Sequence, residues 1–327
     1  MASSGKRKAW IYQREAAPPF ADLLAGGAAR QRFVRYWIKD NLSNAGDLLV
    51  HFGLKLLPAD LCSDAGAAIG RFALPRFHQG AQKRARATLA RLRPDLTESE
   101  REAILFANNA HQGRVMTEFS ITNRVARSRS RVSHVGTEKI VAANRKGPVI
   151  LIGMHLGNWE VMAPALVSIG VTPNINFVPP NSRARAWIAE RVRRKAGVGF
   201  LPPGQEGVRP ALKVLKSGGV VSIFCDEGLQ AKIRGPLFGR KPNLEGNLAV
   251  AVRLARMTGA ALCPIYTLRD RGARFTFHAL QPLTLPPEET PGARLMDDIA
   301  LLNAAIEPTI LAHLDQWYFL DHSLPQE

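Results

Sequence analysis

The chain has 327 residues, of which 46% are hydrophobic and 22% charged, and its formal net charge at pH 7 is +17. This balance excludes an intrinsically disordered chain and allows one large or two ordinary folded domains. The excess of positive charge predicts an acidic partner, which can be nucleic acid, an anionic membrane surface, or an acidic protein or phosphorylated substrate. Charge alone leaves these three classes open.

The three cysteines, Cys62, Cys225 and Cys263, are far apart and form no C-x-x-C pair. A disulfide framework or a zinc knuckle is therefore disfavoured. We expect each thiol to lie buried as a small apolar side chain, compatible with a reducing, cytoplasmic location. No apolar run reaches the roughly 18 residues of a membrane-spanning helix, and no secretory signal is visible. We expect a chain that meets a membrane to lie on its surface.

Residues 1–28 predict a flexible leader, and residues 29–130 predict a helical segment with a basic surface. Near the start of this segment, Phe33, Trp37 and Ile38 recur at helical spacing among arginines and lysines. Two interpretations stay open for this stretch. The helix can lie with its apolar side on an anionic membrane, or it can pack into the core with a solvated basic face.

A later helix of the segment begins with a capping box, in which the Thr97 hydroxyl caps the backbone and Glu100 reaches back. From residue 131 to 327 the pattern changes to short apolar strands alternating with helices. Strands are expected at "GPVILIG", "NINFV", "GVGFL", "VVSIFC", "ALCPIYTL" and "RFTFHAL", before a long last helix. Continuous apolar strands separated by helices indicate an α/β fold whose sheet is covered on both faces.

The segment "GMHLGNWE" places His155 directly after a predicted strand and Glu160 five residues later. On one continuous helix these side chains would point about 140° apart, but they can meet if His155 lies in a strand-to-helix turn and Glu160 in the next helical turn. Gly153 and Gly157 suit such an elbow. A carboxylate on one imidazole nitrogen leaves the other free as a base, and without a G-x-S-x-G nucleophile that base would act on a substrate hydroxyl. Alternatively, His155 caps the helix and Glu160 complements its dipole.

These residues closely resemble the H-x-G-N-W-E signature of the lipid A late acyltransferases, in the lysophospholipid acyltransferase-like superfamily. Further blocks follow in the family's order, over roughly residues 45–320: "NFVPPNSRARAWIAERVRRKAG", "ALKVLKSGGVVSIFCDEG" and "GPLFGRKPNLEGNLAVAVRLARMTGAALCPIY". The resemblance implies a mixed sheet flanked by helices, as in the glycerolipid acyltransferases. It also implies O-acyl transfer from a thioester of acyl carrier protein or coenzyme A to a hydroxyl of a membrane glycolipid such as a lipid A precursor.

The same resemblance assigns roles to residues. His155 would be the general base and Glu160 its orienter, while Asn158, Arg193 and Asp226 would contact substrate, with Asn158 also placed to shape the elbow. It implies no metal and no cofactor besides the acyl donor. It also implies a peripheral position on the cytoplasmic face of the inner membrane, where the acceptor is an anionic lipid.

Alternatives remain for two of these residues. Arg193 lies in a basic helix, where it can simply be solvated, and Arg191 or Arg194 can be the functional arginine instead. Asp226 precedes Gly228 closely enough to be only a turn-forming residue.

The chain departs from the family pattern in three places. Glu227 stands where the family usually has Gln, Asn243 and Glu245 replace a usual Thr, and the ending "HLDQWYFLDH" is closer to relatives that acylate phosphatidylinositol mannosides. These differences concern the acceptor, so another lipid acceptor is an alternative. A non-catalytic membrane-binding relative and a nucleic-acid-binding protein are further rivals. With four tyrosines, no zinc finger and no clear helix-turn-helix, we expect no nucleic-acid partner.

Overall fold

The protein is described by a computed structural model that covers residues 15–229 and 231–325. Its first third is helical, as predicted. A π-helical turn, Arg35–Lys39, joins the second and third helices without a break. The helices are α1 (Ala21–Ala25), α2 (Gly27–Val34), α3 (Asp40–Leu56), α4 (Ala59–Phe77), α5 (Gln79–Leu92), α6 (Glu98–Glu118) and α7 (Thr122–Ala126).

The predicted capping box at the start of α6 is confirmed. The backbone N–H of Glu100 donates to the Thr97 hydroxyl, and the backbone N–H of Thr97 donates to the Glu100 carboxylate at 2.7 Å. Further along, α6 crosses α4 at Gly66, Gly70 and Gly113, where a Cβ on Gly113 would lie 2.0 Å from the Gly66 carbonyl oxygen. Only glycine permits this approach, which sets the position of α6 and the side chains that it directs toward the sheet.

The sheet has seven strands in the order β1-β9-β8-β2-β5-β3-β4. Strands β8, β2, β5, β3 and β4 run parallel, whereas β9 is antiparallel to β8 and parallel to β1. The α/β class with a mixed sheet is therefore confirmed. The strands of this sheet are β1 (Val132–Val135), β2 (Val149–Gly153), β3 (Pro173–Asn176), β4 (Gly199–Leu201), β5 (Val220–Phe224), β8 (Ala261–Arg271) and β9 (Arg274–Ala279). A separate antiparallel pair consists of β6 (Gly228–Leu229) and β7 (Lys232–Ile233).

Helices cover both faces of this sheet. Along β2, Ile150 and Ile152 pack into one apolar cluster, while Val149 and Leu151 pack into another on the opposite face. This alternation follows from the pleat of a strand and explains why "VILIG" has no polar position. The connecting and terminal helices are α8 (Glu138–Lys146), α9 (Met162–Ser168), α10 (Arg183–Ala196), α11 (Val208–Lys216), α12 (Gly246–Thr258) and α13 (Leu295–Ala312).

Some local details differ from the sequence predictions. Strand β1 and helix α8 were not predicted, since β1 is a short edge strand with only its first residue buried. Helix α1 and the first two residues of α2 lie inside the predicted leader, whose residues 1–14 lie outside the described residues. The proposed boundaries at 28 and 130 stay predictions, and helices α5 and α6 share an apolar cluster with the sheet.

All three cysteines are buried and unpaired, as expected from their spacing. Within residues 15–229 and 231–325, none of the helices combines the length and the apolar character that crossing a membrane requires.

Candidate active site

The candidate site is an elbow at the carboxyl end of the central strand β2. His155 lies in the turn that follows the strand, and Glu160 lies in a 3-10 turn, Trp159–Val161, that leads into α9. Gly157 has φ of +54°, and a Cβ there would lie 2.4 Å from the carbonyl oxygen of Thr267. The predicted tight elbow is present, and it needs glycine at this position.

His155 is paired with Asp226. Its Nδ1 lies 3.0 Å from Oδ1 of Asp226, and its backbone N–H donates to Oδ2 at 2.6 Å. Strands β2 and β5 are parallel neighbours with Gly153 opposite Phe224, so the residues two positions beyond each strand meet at the same edge of the sheet. With Nδ1 donating to the carboxylate, Nε2 is the nitrogen left to accept a proton.

The predicted contact between His155 and Glu160 is wrong. Glu160 instead forms a two-point ion pair with Arg193 on α10, with Nε to Oε2 at 3.1 Å and Nη2 to Oε1. A permanently charged guanidinium with a fork geometry attracts this carboxylate more strongly than a neutral imidazole does. Among the described residues, no hydrogen bond joins Glu160 to His155.

Arg193 is the functional candidate among the three predicted arginines. Its guanidinium lies over the Phe177 ring at 4.5 Å. Burial opposes its charge, but the charge of Glu160 and their hydrogen bonds outweigh burial, so the pKa of Arg193 is raised. Arg191 lies over exposed Trp187, and Arg194 pairs with Glu190 on the outer surface of the same helix.

Asp226 is fully buried, and its carboxylate accepts hydrogen bonds from two residues. Besides His155, the indole N–H of Trp317 donates to its Oδ2 at 3.0 Å. The predicted substrate contact for Asp226 is therefore replaced by a contact to the histidine, and the turn-forming alternative does not account for three donors on one carboxylate.

Asn158 joins the elbow to Glu118 by two side-chain hydrogen bonds. Its side-chain oxygen accepts the backbone N–H of Glu160 at 3.2 Å, and its amide donates to Glu118 at 2.9 Å. Glu118 forms a buried ion pair with Arg269. Asn158 is 1% exposed, so it shapes the elbow, as one prediction had it, and the substrate contact that was also predicted finds almost no accessible surface.

The Glu118–Arg269 pair was missed from the sequence. Its members lie 151 residues apart on α6 and β8, and no local pattern connects them. A buried carboxylate needs such a partner, since an unpaired charge in the interior is strongly destabilising.

Aromatic rings surround the exposed edge of His155. Phe224 lies 4.1 Å from the imidazole, Phe319 5.0 Å, Trp159 5.1 Å and Tyr318 6.1 Å, measured between ring centroids. The His155 side chain keeps 19% of its surface exposed. The imidazole therefore lies in a partly open site lined by aromatic rings.

The neighbouring Glu227, one of the departures from the family pattern, has its own hydrogen-bond partner outside this pair. Burial raises its pKa, although the backbone N–H of Asn247 and the charge of Arg234 act in the other direction. The Asn247 N–H donates to its Oε1 at 2.7 Å. Glu227 thus fixes the start of α12 rather than contacting the imidazole.

Comparisons relate the chain to known lipid acyltransferases. The family model described as bacterial lipid A biosynthesis acyltransferase matches residues 26–324. Among solved structures, the chain is similar to a 1-acyl-sn-glycerophosphate acyltransferase from Thermotoga maritima, with 12% sequence identity and a TM-score of 0.36, over 76% of this chain and 96% of that one. A search of curated proteins found no match.

Proposed function

The chain belongs to the bacterial lipid A biosynthesis acyltransferase family and is an acyltransferase, and we propose that it acylates a hydroxyl of a membrane glycolipid such as a lipid A precursor. The donor is a thioester of acyl carrier protein or coenzyme A. The observation that carries the proposal is the His155–Asp226 pair, which leaves Nε2 free in a partly open apolar site.

The pair performs the proton transfers of the reaction. As the acceptor oxygen attacks the thioester carbonyl, Nε2 of His155 takes the hydroxyl proton and Asp226 stabilises the imidazolium. The tetrahedral intermediate then breaks its C–S bond, and the departing thiolate takes the proton back from His155. The products are the ester and a free thiol, so no protein nucleophile or redox partner is needed.

Arg193 supports an oxygen anion of the substrate or of the intermediate. Glu160 holds its Nε and Nη2, while no hydrogen bond among the described residues engages Nη1. The ion pair thus fixes the guanidinium plane and leaves one N–H edge for the substrate. A donor fixed before the reaction stabilises developing charge without reorganisation.

The outer face of α3 supports peripheral membrane binding. Leu42, Leu49 and Leu56 recur every seven residues and are 71%, 76% and 85% exposed. All exposed positions of this helix are uncharged: Asn41, Leu42, Ser43, Ala45, Gly46, Leu49, Val50, Phe52, Gly53 and Leu56. Upstream, Trp37 and Ile38 are also exposed, which favours the membrane-surface interpretation of this stretch.

Cations without acidic partners border this face. None of the following forms an ion pair among the described residues: Lys55, Arg124, Arg127, Arg191 and Lys195. Burial, followed by the charges of Lys195 and Arg191, lowers the pKa of Lys55, as expected where these three cations lie close together. Anionic lipid headgroups at the edge of this apolar face would relieve the repulsion among these cations. The location that we propose for the protein is the cytoplasmic face of the inner membrane.

The experiment combines donors, acceptors and one variant. Labelled acyl–acyl carrier protein and acyl-coenzyme A are each offered with a lipid A precursor or with a phosphatidylinositol mannoside, and the ester product is measured. We expect transfer to the lipid A precursor, and a roughly 10²–10⁴-fold lower rate for His155→Ala. His134→Ala, on the edge strand, is the matched control. If product forms with the phosphatidylinositol mannoside and not with the lipid A precursor, the proposed acceptor is wrong. Full activity of His155→Ala would overturn the proposed mechanism.

A further inference from the structure

The segment after α13 lies across the candidate active site. It forms two 3-10 turns, Leu314–Gln316 and Tyr318–Asp321, with Trp317 between them. We propose that Trp317 is a positioning residue, whose indole N–H fixes the Asp226 carboxylate in the orientation that His155 requires. This inference rests on the proposed function of the His155–Asp226 pair.

The two oxygens of Asp226 have different partners. Oδ2 accepts two hydrogen bonds, from the His155 backbone N–H at 2.6 Å and from Nε1 of Trp317 at 3.0 Å, while Oδ1 faces the imidazole Nδ1. Two donors on one oxygen resist rotation of the carboxylate. Oδ1 is thereby held toward the ring, which fixes the tautomer with Nε2 as the base.

The backbone beside Trp317 is joined to the elbow. Leu156 and Trp317 form an antiparallel bridge. The N–H of Tyr318 donates to the His155 carbonyl at 3.0 Å, and the N–H of Gly157 donates to the Gln316 carbonyl at 3.2 Å. Motion of this segment would therefore move the backbone that carries the base.

Helix α6 holds the same segment from the other side. The Asn108 amide donates to the carbonyl oxygens of Trp317 at 2.8 Å and Leu314 at 3.0 Å, and Gln112 donates to that of Tyr318 at 2.8 Å. Asn108 and Trp317 are both buried. Polar contacts thus fix the backbone of Trp317 on two sides, and the indole N–H adds a hydrogen bond to Asp226, so the side chain is more than apolar filling.

Phenylalanine would fill most of the same volume but lacks the N–H. In Trp317→Phe we expect kcat for acyl transfer to fall roughly 10-fold to 100-fold, with KM unchanged within about twofold, because fully buried Trp317 offers no surface to the substrate. The Asp226→Ala background supplies the matched control. If Trp317 acts through Asp226, Trp317→Phe changes the residual rate there by less than about twofold.

Three results would overturn the inference. These are wild-type kcat in Trp317→Phe, a change in KM alone, or the same fold-loss in both backgrounds, which would indicate a merely structural role. If Trp317→Phe does not fold, Asn108→Ala keeps the indole and loosens its backbone. Asn108→Ala must then lower kcat in the wild-type background and leave it nearly unchanged in the Asp226→Ala background.

A spectroscopic measurement separates this inference from the proposed function. In ¹⁵N-labelled full-length protein, one indole N–H signal is expected to shift and to lose protection from solvent exchange in Asp226→Ala, but not in Asp321→Ala. Unchanged indole signals would contradict the contact itself. If wild-type protein transfers no acyl group, the proposed function is wrong, but the indole N–H signal still tests the contact between Trp317 and Asp226.

Discussion

The carboxyl end of the central strands and the outer face of α3 differ in whether their charged side chains have oppositely charged partners. At the strand ends each charged group has a partner: Asp226 with His155, Glu160 with Arg193, and Glu118 with Arg269. Beside the outer face of α3, Lys55, Arg191 and Lys195 form no ion pair among the described residues, although Arg185 pairs with Asp47 of this helix, and large apolar side chains are exposed. Internal pairing indicates a site whose geometry must be fixed before the substrate arrives. Unsatisfied charge beside exposed apolar surface indicates a region completed by something outside the chain.

The largest effect is expected when the buried partner of the histidine is changed. Asp226→Asn keeps the shape of the side chain but removes the charge, so the imidazolium loses its stabilisation and the ring can adopt the other tautomer. We expect kcat to fall about 10³–10⁴-fold with little loss of thermal stability. Asp321→Asn, an acidic residue of the same C-terminal segment, serves as the control and should stay within about twofold of wild type. A wild-type rate in Asp226→Asn would break the assigned pairing.

A smaller effect is expected from the second ion pair of the site. Glu160→Gln frees the Arg193 guanidinium but leaves the His155–Asp226 contact intact, so we expect kcat to fall roughly 10-fold to 100-fold. Steady-state kinetics of Glu160→Gln and Asp226→Asn in one assay compare the two acids directly. If Glu160 were the orienter of the histidine, its variant would be the more severely impaired.

The apolar face of α3 is tested by vesicle binding. Changing its three exposed leucines to Gln should weaken cosedimentation with vesicles of anionic phospholipid roughly 10-fold or more, because less apolar surface enters the interface. Turnover with detergent-dispersed acceptor should stay within about twofold. The substitutions are Leu42→Gln, Leu49→Gln and Leu56→Gln.

A second triple variant carries the same change at exposed apolar positions elsewhere, namely Val135→Gln, Met257→Gln and Leu301→Gln. It should bind vesicles as the wild type does. Equal weakening in both triple variants would mean that the face on α3 has no special role.

The smallest effect concerns acid stability. His51 on α3 is buried, its Nδ1 lies 2.9 Å from the Ser120 hydroxyl, and burial followed by the charge of Lys55 lowers its pKa to about 4. Between pH 6.5 and 4 the unfolded chain therefore binds a proton at this residue that the folded chain does not. The contribution of neutral His51 to the free energy of unfolding is therefore fully present above pH 6.5 and is lost as the pH falls from 6.5 to 4.

Thermal unfolding at pH 7 and pH 5 measures this contribution. His51→Gln should lose about 1–3 °C less in Tm between the two pH values than wild type does. His111, whose pKa burial also lowers well below its usual value, contributes equally in both proteins. An identical pH dependence would show that His51 is protonated without strain in the folded protein.

The sequence predicted those features that depend on neighbouring residues. The apolar run of β2, the glycine-flanked elbow with His155, and the capping box of α6 are all local patterns, and the structure contains each of them. The partner of His155 was misassigned because it depends on which strands are neighbours. Once β2 and β5 lie side by side in register, Asp226 reaches the imidazole, and a sequence alone does not give that order.

Trp317 and the Glu118–Arg269 pair were missed for a related reason. Each depends on a partner more than 90 residues away in the sequence. A single Trp, Glu or Arg has no sequence pattern that indicates which distant residue it contacts. The orientation of the stretch with Phe33, Trp37 and Ile38 was left open by the sequence, because the same periodicity suits a core helix. The exposed face of the following helix α3 was not predicted, since only packing determines which face of a helix remains uncovered.

The most direct test of the His155–Asp226 pair is the protonation of the imidazole itself. In protein with ¹⁵N-labelled histidine, identified by comparison with His155→Ala, the chemical shifts at a pH where the ring is neutral report which nitrogen carries the proton. We expect the proton on Nδ1 and an unprotonated Nε2 in wild type and in Glu160→Gln, and a change of tautomer in Asp226→Asn. A proton on Nε2 in the wild type, or a tautomer that follows Glu160 rather than Asp226, would contradict the account.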